Sequence, residues 1–288
     1  MWCGLCRFTL DISPRLKVKA RCGMLPNTIA MKSVVEDSFL QRLTNSVSPV
    51  LVELDTLKKP SKGFHPKRPL TTAEQYLIST FKAFAELEEL ANQLDLAAIF
   101  LTSYRNTATL KNYSITRYDY LNYHIEGHLL RVTGIMDRLL IAVNVVVEMG
   151  LSTYKCKPII MLFSKGKKTK LADQLNVVPG LYTALCKLST FIDSFRDDRN
   201  TIAHAERVSY ENLKLVEMLS IVTREPHPLI ENYDVMKEYL KLEGDKRSQE
   251  FKKSMLETNE HIRSLLAPLY ILLEGHFNSS FMAKQLVL

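Results

Sequence analysis

The sequence predicts an all-α fold: an up-and-down bundle of four to five core helices with additional C-terminal helices. Three observations lead there. Apolar residues recur at steps of three and four over long stretches, the period of a helix with one buried face. With 10 Gly and 11 Pro in 288 residues, a turn-rich β-sandwich or barrel lacks its punctuation. There is no convincing strand run and no internal repeat. An apolar share of 46% beside a charged share of 24% is ordinary for a soluble globular chain.

Residues 1 to about 30 keep no sustained period and read as a poorly ordered tail, with Met24 or Met31 as alternative starts. Residues 59–70 hold three prolines and a glycine, the composition of a linker. The first clear helix opens at Thr71. Thr71-x-x-Glu74 is a capping box, in which each side chain satisfies a backbone amide the first turn leaves over. Behind it Leu77, Phe81, Phe84, Leu87, Ala91, Leu94 and Ala98 mark one buried face. Residues 103–117 are polar and form a connection.

The longest helix is predicted over about Tyr118–Met149. Leu121, Ile125, Val132, Ile135, Met136, Leu139, Val143 and Val146 line its apolar side. Glu126, Thr133, Asp137, Asn144 and Glu148 gather into a polar stripe opposite. Gly127 and Gly134 sit inside this helix, where each costs about 1 kcal/mol against alanine. Close approach of a neighbouring helix would compensate. A third helix follows Pro179, with a seam at 181, 185, 188, 192, 195, 199 and 202. Further helices run from Ser209 to about Val222 and from about Asp234 onward, the last interrupted at Gly244 and Pro268. This divides the chain into a basic tail and linker (1–70), a helical bundle (71–222) and a C-terminal helical extension packed on it (223–288).

The net charge of +7 is unevenly placed. Residues 1–72 hold 12 Lys and Arg against 5 Asp and Glu, and the remainder balances at 26 of each. One basic island stands out: Lys155, Lys157, Lys165, Lys167, Lys168 and Lys170, with no acid between Leu151 and Ala172. Such a run is ordinarily a solvated loop, and it is also what a phosphate-binding surface requires. Five scattered cysteines make no disulfide framework and suit a reducing compartment, so a cytoplasmic location is expected. Cys3-x-x-Cys6 has only Cys22 and the distant His65 for company, short of a four-ligand zinc site. No signal-peptide core appears, and Leu139–Leu151, broken by Asn144 and Glu148, is too short to cross a membrane.

Two histidine arrangements bear on chemistry. His124 and His128 stand four apart on the long helix, a spacing that can hold a metal. Glu126 lies between them and points away, so a satisfied core or interface pair is the better reading. The other is Arg199-Asn200-Thr201-Ile202-Ala203-His204. Arg199 occupies a position on the otherwise apolar seam, where an arginine needs a partner. Ser209, the next capping candidate, ends the helix just beyond His204, where the backbone can turn and bring Arg199 and His204 to one site.

Arginine, a polar residue and a histidine after four to six intervening positions, near the end of a late helix, resembles the motif of the HEPN superfamily, the higher eukaryote and prokaryote nucleotide-binding domain. Arg117 and His124 share the spacing, with Tyr118 in place of the polar residue. The resemblance covers roughly Thr71 to Val222 and implies a bundle of four or five helices in a bacterial protein. It further implies a metal-independent endoribonuclease with no cofactor. In that chemistry the ribose 2′-hydroxyl attacks the adjacent phosphate, leaving a 2′,3′-cyclic phosphate and a 5′-hydroxyl. Arg199, Asn200 and His204 would carry the reaction, and Lys165, Lys167, Lys168 and Lys170 would hold RNA. Two proton transfers and one motif histidine per chain imply a homodimer. A toxin or phage-defence effector, with an antitoxin protein as a further partner, is the corresponding setting. A non-catalytic RNA- or nucleotide-binding module and a helical interaction scaffold are the alternatives.

Overall fold

The computed structural model describes residues 39–54, 68–105, 107–164, 167–204, 210–224 and 232–286. The N-terminal tail, Cys3, Cys6, Cys22, His65, Lys165 and Ser209 lie outside them. The fold is all-α, as the periodicity predicts. Helix α1 (Phe39–Leu54) turns Phe39, Leu43 and Val47 inward against α2 (Thr72–Leu101). The capping box of α2 is formed. Glu74 N–H donates to Thr71 Oγ1 at 3.2 Å, and Thr71 N–H donates to Glu74 Oε2 at 2.8 Å. Arg68 closes on the same carboxylate and draws it down to about 2.

A short α3 (Ala108–Asn112) leads to α4 (Arg117–Val146), opened by a second capping box between Thr116 and Asp119. Helix α4 runs antiparallel to α2, and the Tyr76 hydroxyl donates to the Val146 carbonyl at 2.8 Å, tying the start of one to the end of the other. Beyond α4 come a single turn, α5 (Pro158–Met161), and a two-stranded hairpin pairing β1 (Phe163–Ser164) with β2 (Lys167–Lys168). Gly180, at φ 85°, sets up α6 (Leu181–Asp193), which is followed by α7 (Arg196–Ala203) and α8 (Lys214–Val222).

The last helix, α9 (Tyr233–Gln285), is continuous over 53 residues, about 80 Å at 1.5 Å per residue. The expected interruptions at Gly244 and Pro268 do not occur. Pro268 sits on the exposed face, so the carbonyl it leaves unbonded at Ser264, itself exposed, can be solvated. Gly244 is buried where the Arg117 side chain crosses, and an added Cβ would overlap that side chain. Glycine there permits close approach.

The core lies where α2, α4, α6 and α9 meet. Phe84, Leu87, Ile135, Leu139, Leu185, Leu266 and Leu273 are its fully covered members. Gly134 is explained as expected: a Cβ there would stand 3.2 Å from Leu90 of α2. Gly127 is not. Its neighbour is Arg131 of the same helix, which folds back and donates to the Gly127 carbonyl at 2.6 Å.

Candidate functional site

The segment Arg199–His204 owes its position to a break in the helix that precedes it. Ser194 ends α6, and its hydroxyl takes the Phe191 carbonyl at 2.7 Å while the Phe195 amide bonds three residues back to Ile192. A serine competing for the carbonyls of its own helix is a recurrent reason for such breaks. Phe195 then leaves helical backbone at φ −100°, ψ 4°, and α7 starts afresh with Asp197 and Asp198 in its first turn, the sign the helix dipole favours there.

This break corrects the seam. Over 181–192 the period holds, with Leu181, Leu185, Leu188 and Ile192 buried. Beyond it Phe195 and Ile202 are half-buried, and Arg199 is exposed rather than core-facing. Helical phase cannot be carried across a turn that is not helical. The expectation that the helix ends at the motif is met: His204 is the C-cap of α7, its amide bonded to the Asn200 carbonyl at 3.0 Å, and its side chain is exposed.

Arg199 Nη1 donates to Asn200 Oδ1 at 3.1 Å, and both residues line a cleft of about 340 Å³. Its other walls are Thr133, Met136 and Asp137 of α4, Lys157 to Ile159 at the start of α5, and Ile192, Asp193 and Arg196. Arg196 pairs with Asp193 at 2.5 Å. Of the two half-buried carboxylates that line the cleft, one is Asp193, held by Arg196, and the other is Asp137. Burial pushes it above the ordinary aspartate range, while Arg199, Lys157 and Arg138 pull it the other way. Arg138 is itself paired with Glu86 at 2.6 Å, so Arg199 and Lys157 are the cations left facing Asp137 within the cleft.

A family model for Cthe2314-like HEPN matches residues 82–266, well over half of the chain. The chain belongs to the HEPN superfamily. No curated protein and no solved structure matches it. The match begins in α2 and ends in α9, so it takes in α7, which carries Arg199 and Asn200, and most of the core.

Within this HEPN domain the predicted residues fall into three places. Arg199 and Asn200 share the cleft. His204 stands at the end of α7, outside the cleft wall and about 7.5 Å further along the helix axis. Lys167, Lys168 and Lys170 are exposed around the hairpin and do not line the cleft. Lys168 is engaged, paired with Asp173 at 2.7 Å and lying over the Tyr182 ring at 4.9 Å.

Asp137 and Lys157 are among the cleft residues outside the predicted site set. Asp137 was visible as a member of the polar stripe on α4, and Lys157 as a member of the basic island. Neither signal said that those two features face each other. Asn144 of the same stripe has another use: it exchanges two hydrogen bonds with the Leu151 backbone, 3.0 and 2.9 Å, and clamps the turn after α4.

The paired histidines separate. His128 is buried and its Nε2 meets Asn259 Oδ1 at 2.7 Å, while His124 packs among Phe100, Tyr120 and Tyr123. Among the described residues no cluster of three His, Cys, Asp or Glu side chains could hold a metal ion. Nor is any described helix long and apolar enough to cross a membrane.

Proposed function

We propose that this HEPN protein is a metal-independent endoribonuclease that cuts RNA through the ribose 2′-hydroxyl. One observation carries the reading. Arg199 and Asn200 are joined side by side on the wall of a concave cleft, one helical turn before a solvent-reachable histidine that caps the same helix. An arginine offers a planar fork to phosphate oxygens. A histidine, whose ordinary value lies near neutrality, can take or give a proton there.

In this reading a base removes the 2′-hydroxyl proton, and the 2′-oxygen bonds to the adjacent phosphorus. The bond from phosphorus to the 5′-oxygen breaks, and that oxygen takes a proton from an acid. The products are a 2′,3′-cyclic phosphate and a 5′-hydroxyl. Arg199 stabilises the charge that builds on the phosphoryl oxygens. Asp137, which lines the same cleft from α4, is a positioning residue whose charge attracts the guanidinium towards the cleft. His204 supplies one of the two proton transfers, and the His204 of a second copy in a homodimer supplies the other. An RNA-cutting effector of the toxin or phage-defence kind, restrained by an antitoxin protein in the cytoplasm, is the setting such chemistry fits.

The test is incubation of the purified protein with a short RNA, with and without EDTA, and with a copy carrying one 2′-deoxy sugar at the cut site. Cleavage that survives EDTA and stops at the deoxy position supports the proposal. RNA binding without cleavage would leave a binding module, and no RNA binding would leave a scaffold. An excess of His204→Ala protein should quench wild-type cleavage by forming mixed dimers. An undiminished rate would overturn the two-copy site.

A further inference from the structure

Two charged side chains of opposite sign line the motif cleft without pairing to each other. Asp137 comes from the polar stripe of α4, and Lys157 stands just ahead of α5, in the basic island. Burial makes the Asp137 carboxylate costly to charge, while Arg199, Lys157 and Arg138 attract it. None of the three closes on it as an ion pair, and no described residue donates a hydrogen bond to it. Arg138 is spent on Glu86. The other cleft carboxylate, Asp193, is already held by Arg196. Asp137 is therefore a partly desolvated acceptor in the cleft wall, and such a group gains when a ligand brings donors to it.

The cleft measures about 340 Å³, near the lower end of the roughly 300–1,000 Å³ usual for small-molecule sites. That is room for one base with its sugar and too little for a duplex. Pro158 and Ile159 give the cleft an apolar edge, and Ile159 is 61% exposed, a surface against which a planar ring can lie. Arg199 and Asn200 belong to the same lining. Arg199 takes Asn200 Oδ1 at 3.1 Å, which leaves the amide hydrogens of Asn200 for a ligand. A base attached to a phosphate at Arg199 would enter the cleft that holds Asp137 and Lys157.

The four bases bring different polar edges to such a wall. Guanine sets two donors side by side, N1–H and the 2-amino group, with the acceptor O6 next to them. A carboxylate accepts both donors at once, and an ammonium nearby donates to O6. Adenine and cytosine offer a carboxylate one amino group beside a ring-nitrogen acceptor, which repels the second carboxylate oxygen. Uracil offers one N–H between two carbonyl oxygens. All these edges are free only in unpaired RNA.

We propose that the cleft beside Arg199 selects an unpaired guanine next to the scissile phosphate, with Asp137 accepting from N1–H and the 2-amino group and Lys157 donating to O6. This inference rests on the ribonuclease reading of the motif and names its substrate: single-stranded RNA cut beside guanine. The carboxylate that attracts Arg199 towards the cleft is also the group that reads the base.

The test uses oligonucleotides that are deoxy except for one ribose, so that a single phosphate is open to cleavage, with each of the four bases placed in turn on either side of it. Guanine on one side is expected to raise kcat/KM at least about tenfold over the other three bases. Inosine, which lacks the 2-amino group, should lose several-fold against guanine in the wild-type protein and nothing in Asp137→Asn. Asp137→Asn should also move the preference towards adenine, because a side-chain amide pairs with the N6 and N7 edge of that base. A residue that only positioned Arg199 would slow all four substrates by one factor. Lys157→Gln should narrow the guanine preference by less than Asp137→Asn does. Equal use of the four bases by the wild-type protein, or a guanine preference untouched in Asp137→Asn, overturns the proposal. Fluorescence anisotropy of short single-stranded RNAs differing at one base reads the same pocket without cleavage. A guanine preference in binding that Asp137→Asn removes supports the pocket even where nothing is cut, in which case the cleavage reading alone fails. Equal affinities together with no cutting overturn both.

Discussion

His204 and Arg199 are both exposed, so chemistry and stability should part cleanly at these residues. His204→Ala is expected to lower RNA cleavage by about 10²–10⁴-fold, the usual worth of one positioned acid or base. Arg199→Ala should do comparable damage, and Arg199→Lys should not rescue it, because an ammonium lacks the planar fork. Thermal melting should show each within about 0.5 kcal/mol of wild type, as for surface changes generally. Wild-type cleavage in the histidine variant would remove the motif from the mechanism. Asp137 behaves differently. Its carboxyl is raised in the folded state by burial, so as pH rises the unfolded chain ionises first and folding loses stability. The penalty is absent below the ordinary aspartate range and complete above the raised value. Asp137→Asn should therefore melt higher than wild type at neutral pH and equally at acid pH, while cleavage falls because Arg199 loses its opposite charge. A lower melting temperature at pH 7 would show that attraction to the cations of the cleft outweighs the burial.

At the scale of elements, α2, α4 and α9 are joined by one buried polar chain. His128 on α4 meets Asn259 on α9 at 2.7 Å, and Asn259 Nδ2 donates to Asp95 on α2 at 3.0 Å. Arg263 completes it as the ion-pair partner of Asp95. Asn259 Nδ2 serves the carboxylate, so its oxygen faces the ring and His128 Nε2 is the donor. Asn259→Leu would leave His128 Nε2 and one oxygen of Asp95 without their hydrogen-bond partner in the core, at a cost of about 3 kcal/mol. Chemical denaturation reads this directly, and a loss under about 1 kcal/mol would mean the network is not held as drawn. The hairpin is the other informative element. Lys168 is occupied by Asp173 and Tyr182, so among the described residues Lys167 and Lys170 are the lysines there available to RNA. The Lys167→Ala, Lys170→Ala variant should weaken RNA binding and lower the slope of affinity against salt by about two. Single-turnover cleavage at saturating RNA should be spared. Unchanged affinity and slope would reduce the island to a solubilising loop. Lys157, on the cleft wall beside Arg199, is expected to affect the cleavage rate itself.

For the whole molecule, α9 is a structural member of the bundle. It contributes Ile262, Leu266, Leu269, Leu273 and Phe277 to the same core as Phe39, Phe84 and Leu139. Phe277 stacks on Tyr76 with ring centres 5.3 Å apart and tilts against Phe39 at 5.4 Å, so one end of the bundle closes only when α1, α2 and α9 are all present. A chain ended at Val222 would expose the entire face that α9 covers. Burial of a single large apolar side chain is worth about 1.5–3 kcal/mol, and the five named here rival the whole stability of an ordinary domain. That truncated chain is expected to be insoluble or unfolded by circular dichroism. A soluble, cooperatively melting product would show that the bundle closes without α9.

The helices themselves were legible because their determinants are local. The capping box at Thr71 and Glu74 and the 3–4 spacing on α2 and α4 act within a turn or two of chain. The motif was legible for the same reason, since Arg199, Asn200 and His204 lie within six residues. Three things depended on the tertiary fold. The break at Ser194 shifted the helical phase and moved Arg199 from a presumed core seam to a cleft wall. Gly244 and Pro268 looked like interruptions, yet one makes room for Arg117 and the other faces solvent, so α9 runs through both. And only packing brought Asp137 of α4, Lys157 and Arg199 of α7 to one cleft. Periodicity says which face of a helix is buried. It carries no information on which other helix supplies the cover, because that choice is made by the shape and charge of surfaces far apart in the chain.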